Sequence, residues 1–338
     1  MRLEGKPELR IWGDVIPGNT GRSKMDDMNV DPTMTMEDVF TKYPGIWDKT
    51  TDEIGDLSGN DFMVWDQEIQ NGYAEETYSD IPVLIPYIVE GSDRCVILCP
   101  GGAYLTKSMD NEGSEVAEVL NAAGISAFVL WYRSYPYHDP YMYLDCQRAV
   151  RYVRYHAAEY GIDPHKIGIA GFSAGGNLCG VEALCFRDKP VSEEGYVPDE
   201  IDAVSGEPDA LGLIYPAVSI ENDKILVVVA GREAWYDPEA RNAFGERYDM
   251  RTHVREGDAP AFLCACMDDD VVPPMLLPEL AGAYKEKGVQ CELHLFPYGG
   301  HGFGACIPHP VGPFVNFDFS AVNQWLDLFT NWVNRVFE

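Results

Sequence analysis

A serine set between glycines, Gly171-Phe-Ser-Ala-Gly175, follows an apolar run at 166–170 and precedes a helix-like run at 177–186. A serine on such a sharp strand-to-helix turn holds its hydroxyl out toward a ligand, and the small neighbours let the strained backbone pass close to other elements. A hydroxyl is a poor nucleophile near neutral pH. It needs a base to take its proton and a third group to orient that base. Histidine suits the base because its pKa lies near working pH. Of the seven histidines, His294 falls inside a strand-like run and His156 inside a long helical one. His301 sits in Tyr298-Gly-Gly-His-Gly-Phe303, a glycine-rich loop just past a strand end, where the ring could swing over Ser173. For the orienting carboxylate, the apolar run 261–267 leads straight into Asp268, Asp269 and Asp270. The strand ends there, so alternation leaves all three open.

A second glycine-rich loop, Cys99-Pro-Gly-Gly-Ala-Tyr104, also follows a strand-like run. Backbone N–H groups of Gly102 and Ala103, joined by that of Ala174, are placed to receive an oxygen that becomes negative during attack. A phosphate cradle is the rival reading. Lys107-Ser108 follows Gly101 at Walker spacing, but Thr106 stands where that motif has glycine, and no G-x-G-x-x-G spacing follows, which disfavours it. Tyr104 is read as lining the pocket for the attacked group, with packing as the plainer alternative. Asp145 and Arg148, three apart on one helix face, read as a structural ion pair. Tyr135, Tyr137 and His138 occupy a loop after a strand, where aromatics could stack on sugar rings.

The elements that must hold these groups follow from the hydrophobic pattern. Strands are expected at 81–89, 94–99, 125–131, 166–170, 211–215, 261–267 and 290–296. Helices are expected at 116–123, 140–160, 275–287 and 320–336. The run 224–230 fits either. This alternation implies an α/β fold with a mainly parallel sheet, covered by helices on both faces. Residues 1–78, rich in Asp, Met, Gly and Pro, read as an irregular N-terminal extension packed on the core, with a partly mobile arm as the alternative. The catalytic domain is taken as 79–338, with 217–259 read as either a lid insertion over the site or an irregular connection.

The 338 residues carry 55 acidic against 25 Lys and Arg side chains, a net charge of −30. That balance argues against nucleic acid and anionic membranes as partners, and reads as a solvated acidic surface. The nine cysteines are scattered without pair spacing and mostly lie in apolar segments. They read as buried thiols of a reducing, cytoplasmic compartment. Cys264 and Cys266 suit strand alternation better than a metal site. The start lacks the apolar core of a signal peptide, and no run is long enough to span a membrane.

Together these motifs resemble α/β-hydrolase carboxylesterases of the acetyl-xylan esterase and feruloyl/acetyl esterase type. Pro100-Gly-Gly-Ala-Tyr104 resembles that family's P-G-G-G-Y loop, with Ala103 in place of the third glycine. Trp131-Tyr-Arg133, Leu144-Asp-Cys-Gln-Arg-Ala149, Gly161-Ile-Asp-Pro164, Gly168 to Gly176, Gly300-His-Gly-Phe303 and Gln324 to Phe329 are similar to further family segments. Asp269-Asp-Val-Val-Pro273 resembles its D-x-x-V-P acid motif, and on that ground Asp269 is chosen. The order Ser, Asp, His along the chain is that of α/β-hydrolases. The resemblance covers about residues 80–338. It implies a serine esterase acting on short-chain esters, acetylated oligosaccharides among them, with Ser173, His301 and Asp269 as triad and no metal or organic cofactor. A prolyl-oligopeptidase-like peptidase and a non-catalytic binding protein on the same scaffold are the alternatives. A homo-oligomer is left open.

Overall fold

In the computed structural model the described residues are 6–19, 66–69, 73–76, 81–104, 107–134, 137–221, 225–308 and 318–338. Ten strands are found among them: β1 (Leu9–Arg10), β2 (Asp66–Ile69), β3 (Tyr73–Glu76), β4 (Val83–Tyr87), β5 (Cys95–Cys99), β6 (Ser126–Trp131), β7 (Ile167–Phe172), β8 (Ala210–Ile214), β9 (Ala261–Cys266) and β10 (Cys291–Phe296). Eight form one sheet in the order β1-β4-β6-β5-β7-β8-β9-β10, and β2 and β3 pair separately. From β6 to β10 every neighbour is parallel, while β4 runs antiparallel to both β1 and β6.

The parallel strands read as unbroken apolar runs because both of their faces are covered. Every residue of β5 through β9 is buried. Each buried Ile or Leu there contributes about 1.5–3 kcal/mol relative to exposure. On one face the helix Tyr141–Tyr155 packs on the helix Ala174–Val181; the helices Glu115–Ala122 and Trp325–Val336 pack on one another. The strand order reverses between β5 and β7, since β5 leads to β6 on one side and β7 lies on the other. In open parallel sheets, ligands bind in the crevice beyond the carboxyl ends of strands at such a switch.

The expected long helix at 140–160 is broken at His156 into Tyr141–Tyr155 and Ala157–Tyr160, and Gly161 closes it at φ 71°. The ambiguous run 224–230 is a helix, Leu226–Ala230, stopped by Gly231 at φ 85°. With Arg232–Tyr236, Pro238–Tyr248 and Met250–His253 it forms a series of short helices between β8 and β9.

Much of the expected N-terminal extension lies outside the described residues. In its described part, β1 adds a strand to the sheet edge, and Ile11 and Trp12 are buried. The ion pair expected between Asp145 and Arg148 is corrected. Asp145 Oδ1 accepts from Arg133 Nη2 at 2.7 Å and from Trp12 Nε1 at 2.8 Å; its Oδ2 accepts from Arg133 N and Nε, both at 2.9 Å. Arg148 instead reaches Asp199 and Asp202, and donates from Nε to Ile11 O at 2.7 Å. Helix spacing put the two charges on one face, but the approach of β6 and the N-terminal segment supplied better partners.

Candidate active site

Ser173 follows the last residue of β7. Its backbone sits at φ 52°, ψ −117°, a region side chains rarely adopt, which costs on the order of 1–3 kcal/mol. The surroundings hold it there: Ser173 N donates to Ile214 O at 3.0 Å, and its carbonyl accepts from Asn177 N at 3.0 Å and Ala217 N at 3.3 Å. A Cβ on Gly175 would stand 2.0 Å from Cys99 O, and one on Gly171 2.0 Å from Gly175 O. Gly175 is therefore required by the close passage of β5 under the turn, and Gly171 by the helix start folding back over the end of β7.

His301 lies on the loop after β10. Its Nε2 is 2.8 Å from Ser173 Oγ and its Nδ1 is 2.8 Å from Asp269 Oδ2. An ionised carboxylate can only accept, so Nδ1 carries the proton and Nε2 accepts from the serine hydroxyl. Asp269 Oδ1 in turn accepts from Val271 N at 3.0 Å and Val272 N at 2.8 Å. The neighbouring Asp268 takes backbone donors instead. It accepts from Gly300 N at 2.9 Å and Gly299 N at 3.3 Å, and so suspends the histidine loop from the end of β9. The sequence missed this role. The signal was available in the glycines themselves, whose N–H groups needed an acceptor.

The loop after β5 carries Gly102 at φ 134° and Ala103 at φ 55°. Its anchor is Gly101, whose N–H donates to Glu112 Oε2 at 2.5 Å and whose carbonyl accepts from Ser108 N at 3.0 Å. Tyr132 donates to Pro100 O at 2.7 Å. Ala174 opens the helix Ala174–Val181, so its N–H is among those with no partner inside the helix. Burial pushes the Glu112 carboxyl up, and the Tyr215 hydroxyl, the Gly101 N–H and the His301 ring act against that rise.

Tyr104 is corrected as a substrate contact. It is fully buried, and its hydroxyl donates to Asn177 Oδ1 at 2.7 Å, so its ring belongs to the core beneath the serine turn. Of the stacking expected of the loop after β6, the part resting on Tyr137 is corrected. Tyr137 is buried beneath the Arg133 guanidinium, and His138 Nδ1 is 2.8 Å from Val228 O; Tyr135 lies outside the described residues. Among the described residues, the group able to hold a metal is Cys99, Cys146 and Cys179, buried with sulfurs within 4.8 Å of one another. Burial pushes the Cys179 thiol well up, so it enters the core as a small neutral side chain. Cys264 and Cys266 are buried along β9. No helix among the described residues is long and apolar enough to cross a membrane.

A serine turn at the switch of a parallel sheet, met by a histidine loop and a carboxylate from two later strand ends, defines an α/β-hydrolase. Residues 82–281 match the family model BD-FAE, and the chain belongs to that family. It is 31% identical over 254 residues to endo-1,4-beta-xylanase B of Butyrivibrio fibrisolvens, covering 71% of this chain and 37% of that one. It is 30% identical over 219 residues to the acetylxylan esterase of Xylanibacter ruminicola, covering 63% of this chain and 42% of that one. The chain thus spans well under half of either relative. Among solved structures, an acetyl ester-xyloside bifunctional hydrolase from Caldicellulosiruptor lactoaceticus superposes with a TM-score of 0.64 at 34% identity, over 76% of this chain and 88% of that one.

Proposed function

We propose that the protein is a serine esterase that removes short acyl groups, acetyl above all, from carbohydrates or oligosaccharides. The observation that carries this reading is the unbroken line from Ser173 Oγ through His301 to Asp269, at 2.8 Å in each step. Ser173 Oγ attacks the ester carbonyl carbon while His301 Nε2 takes its proton. Asp269 keeps the tautomer and offsets the imidazolium charge. The N–H groups of Gly102, Ala103 and Ala174 receive the oxyanion; one such donor is worth about 2.7–4 kcal/mol. His301 then returns the proton to the departing alcohol oxygen, leaving acyl-Ser173. Water, deprotonated by His301, attacks the acyl carbon, and the carboxylic acid leaves as Ser173 regains its proton. The acyl group is read as small because Ala103 puts a methyl where the family loop has glycine. The carbohydrate side of the reading is supported by the relatives, one an acetylxylan esterase and another an acetyl ester-xyloside hydrolase.

The test is acetate release from acetylated xylo-, manno- and cello-oligosaccharides, set beside aryl acetates and dipeptide amides. Release from the acetylated sugars is expected, and its absence in Ser173→Ala. Cleavage of the amides without acetate release would overturn the reading.

A further inference from the structure

Three segments converge on the site without touching the reacting atoms: the turn Asp110–Ser114, Tyr215 just past β8, and the chain on either side of His301. Glu112 and Tyr215 are both buried. Glu112 Oε2 accepts the N–H of Gly101, and its Oε1 accepts the hydroxyl of Tyr215 at 2.8 Å. The same Tyr215 oxygen accepts the N–H of Gly304 at 3.0 Å. The Tyr215 ring stands edge-on to His301, centroids 4.9 Å apart, and to Phe303, 4.4 Å apart. Asn111, beside Glu112, adds two more ties. Its Nδ2 donates to Gly302 O, and its carbonyl accepts from Ala305 N, both at 3.0 Å. A Cβ on Gly304 would stand 2.3 Å from Asn111 Oδ1, so the loop can approach this closely only as glycine.

We propose that Glu112 and Tyr215 are positioning residues that brace the loop carrying the oxyanion donors against the loop carrying His301, so that both stay in register with Ser173. The inference rests on the esterase reading of the site. Gly101 immediately precedes the donors Gly102 and Ala103, and Gly302 and Gly304 lie just beyond His301. One carboxylate therefore fixes two groups that come from opposite sides of the nucleophile. A carboxylate suits the place because both of its partners are donors. In an amide one end would be NH2, which must either face the Gly101 N–H or take the place of the Tyr215 acceptor. Either arrangement leaves a buried group unpaired. The geometry served is that of the transition state, where an error of a fraction of an ångström in a donor or base slows the chemical step.

The experiment measures the rate at which a fluorophosphonate modifies Ser173, together with kcat and KM on an aryl acetate and the melting temperature. It compares wild type, Glu112→Gln, Tyr215→Phe and the double variant. In both single variants, phosphonylation and kcat are expected to fall roughly 10–100-fold. KM is expected to move far less, and the double variant to lose much less than the product of the two losses, since the residues act in one chain. The brace is overturned if folded single variants react within about twofold of wild type, if the loss lies in KM alone, or if the losses multiply. Should Glu112→Gln fail to fold, Tyr215→Phe, which removes one oxygen, decides alone. A labelled wild type with unaffected variants overturns the brace and leaves the nucleophile reading standing. A wild type that resists the probe overturns both.

Discussion

Asp145 and Asp269 each have both carboxylate oxygens hydrogen-bonded, and they face partners of different kinds. Asp145 faces Arg133 with both side chains fully inaccessible to solvent, whereas Asp269 faces His301, whose side chain keeps 15% of its surface exposed. In the first pair, burial alone would favour a neutral Arg133, but Asp145 outweighs it and raises the guanidinium pKa further. The Arg133 guanidinium stays charged near neutral pH, and no ligand can reach it. In the second, the partner is the one side chain whose ordinary pKa lies in the working range, and its far nitrogen meets the hydroxyl of the half-buried Ser173. Hydrogen-bond saturation alone marks a well-held carboxylate. Access and a titratable partner mark the one to which the proposed mechanism gives a chemical part.

The comparison breaks most sharply at the nucleophile. Ser173→Ala is expected to lower kcat by about six orders of magnitude, as loss of a nucleophile acting in a unit does, with a melting temperature no lower than wild type. Asp269→Asn should cost about 10⁴-fold in kcat through the wrong tautomer. Asp268→Asn, which loosens only the suspension of the loop, should cost far less; the reverse ranking in a steady-state assay would exchange the roles given to the two. On the other side of the comparison, Arg133→Met leaves the charge of Asp145 buried and unpaired. It should remove about 3–5 kcal/mol of stability in urea titration, while kcat per folded molecule stays near wild type.

The smallest effect concerns a third buried acid. Both oxygens of Glu182 lack a hydrogen-bond partner, and burial pushes its carboxyl well above 4.5. The folded form keeps its proton while the unfolded chain gives it up, so stability falls as pH climbs through and beyond 4.5. Glu182→Gln should flatten that decline, within the roughly 1–3 kcal/mol of an unpartnered buried polar group. A pH series of unfolding curves that stays equally steep would contradict the assignment.

The strands that present the site were legible because two-sided burial writes itself as unbroken apolar runs, and Ser173 and His301 were legible because glycine surrounds them. The choice among Asp268, Asp269 and Asp270 was open to residue-level reading, since a strand end has no periodicity to use, and only resemblance to a family motif settled it. Glu112 was invisible: an acidic residue at a helix start reads as a solvated, dipole-favoured side chain, and only the approach of β8 turns it inward. Tyr215 could have been flagged by its place at the carboxyl end of an apolar strand. Asp145 and Arg148 misled because three-residue spacing on a helix says that two charges can meet, not that each lacks a stronger partner elsewhere. Tyr104 misled in the same manner, since proximity to a reactive loop in sequence says nothing about which way a ring turns.

The left-handed backbone at Ser173 has a consequence for evolution in the laboratory. Glycine would rest there with less strain than serine, and the Ser173 side chain makes no capping bond to the helix that follows, so that helix would lose little. A screen that rewards heat resistance without demanding turnover should therefore drift toward erasing Ser173, because this fold gives up some of its own robustness to hold that hydroxyl on the turn.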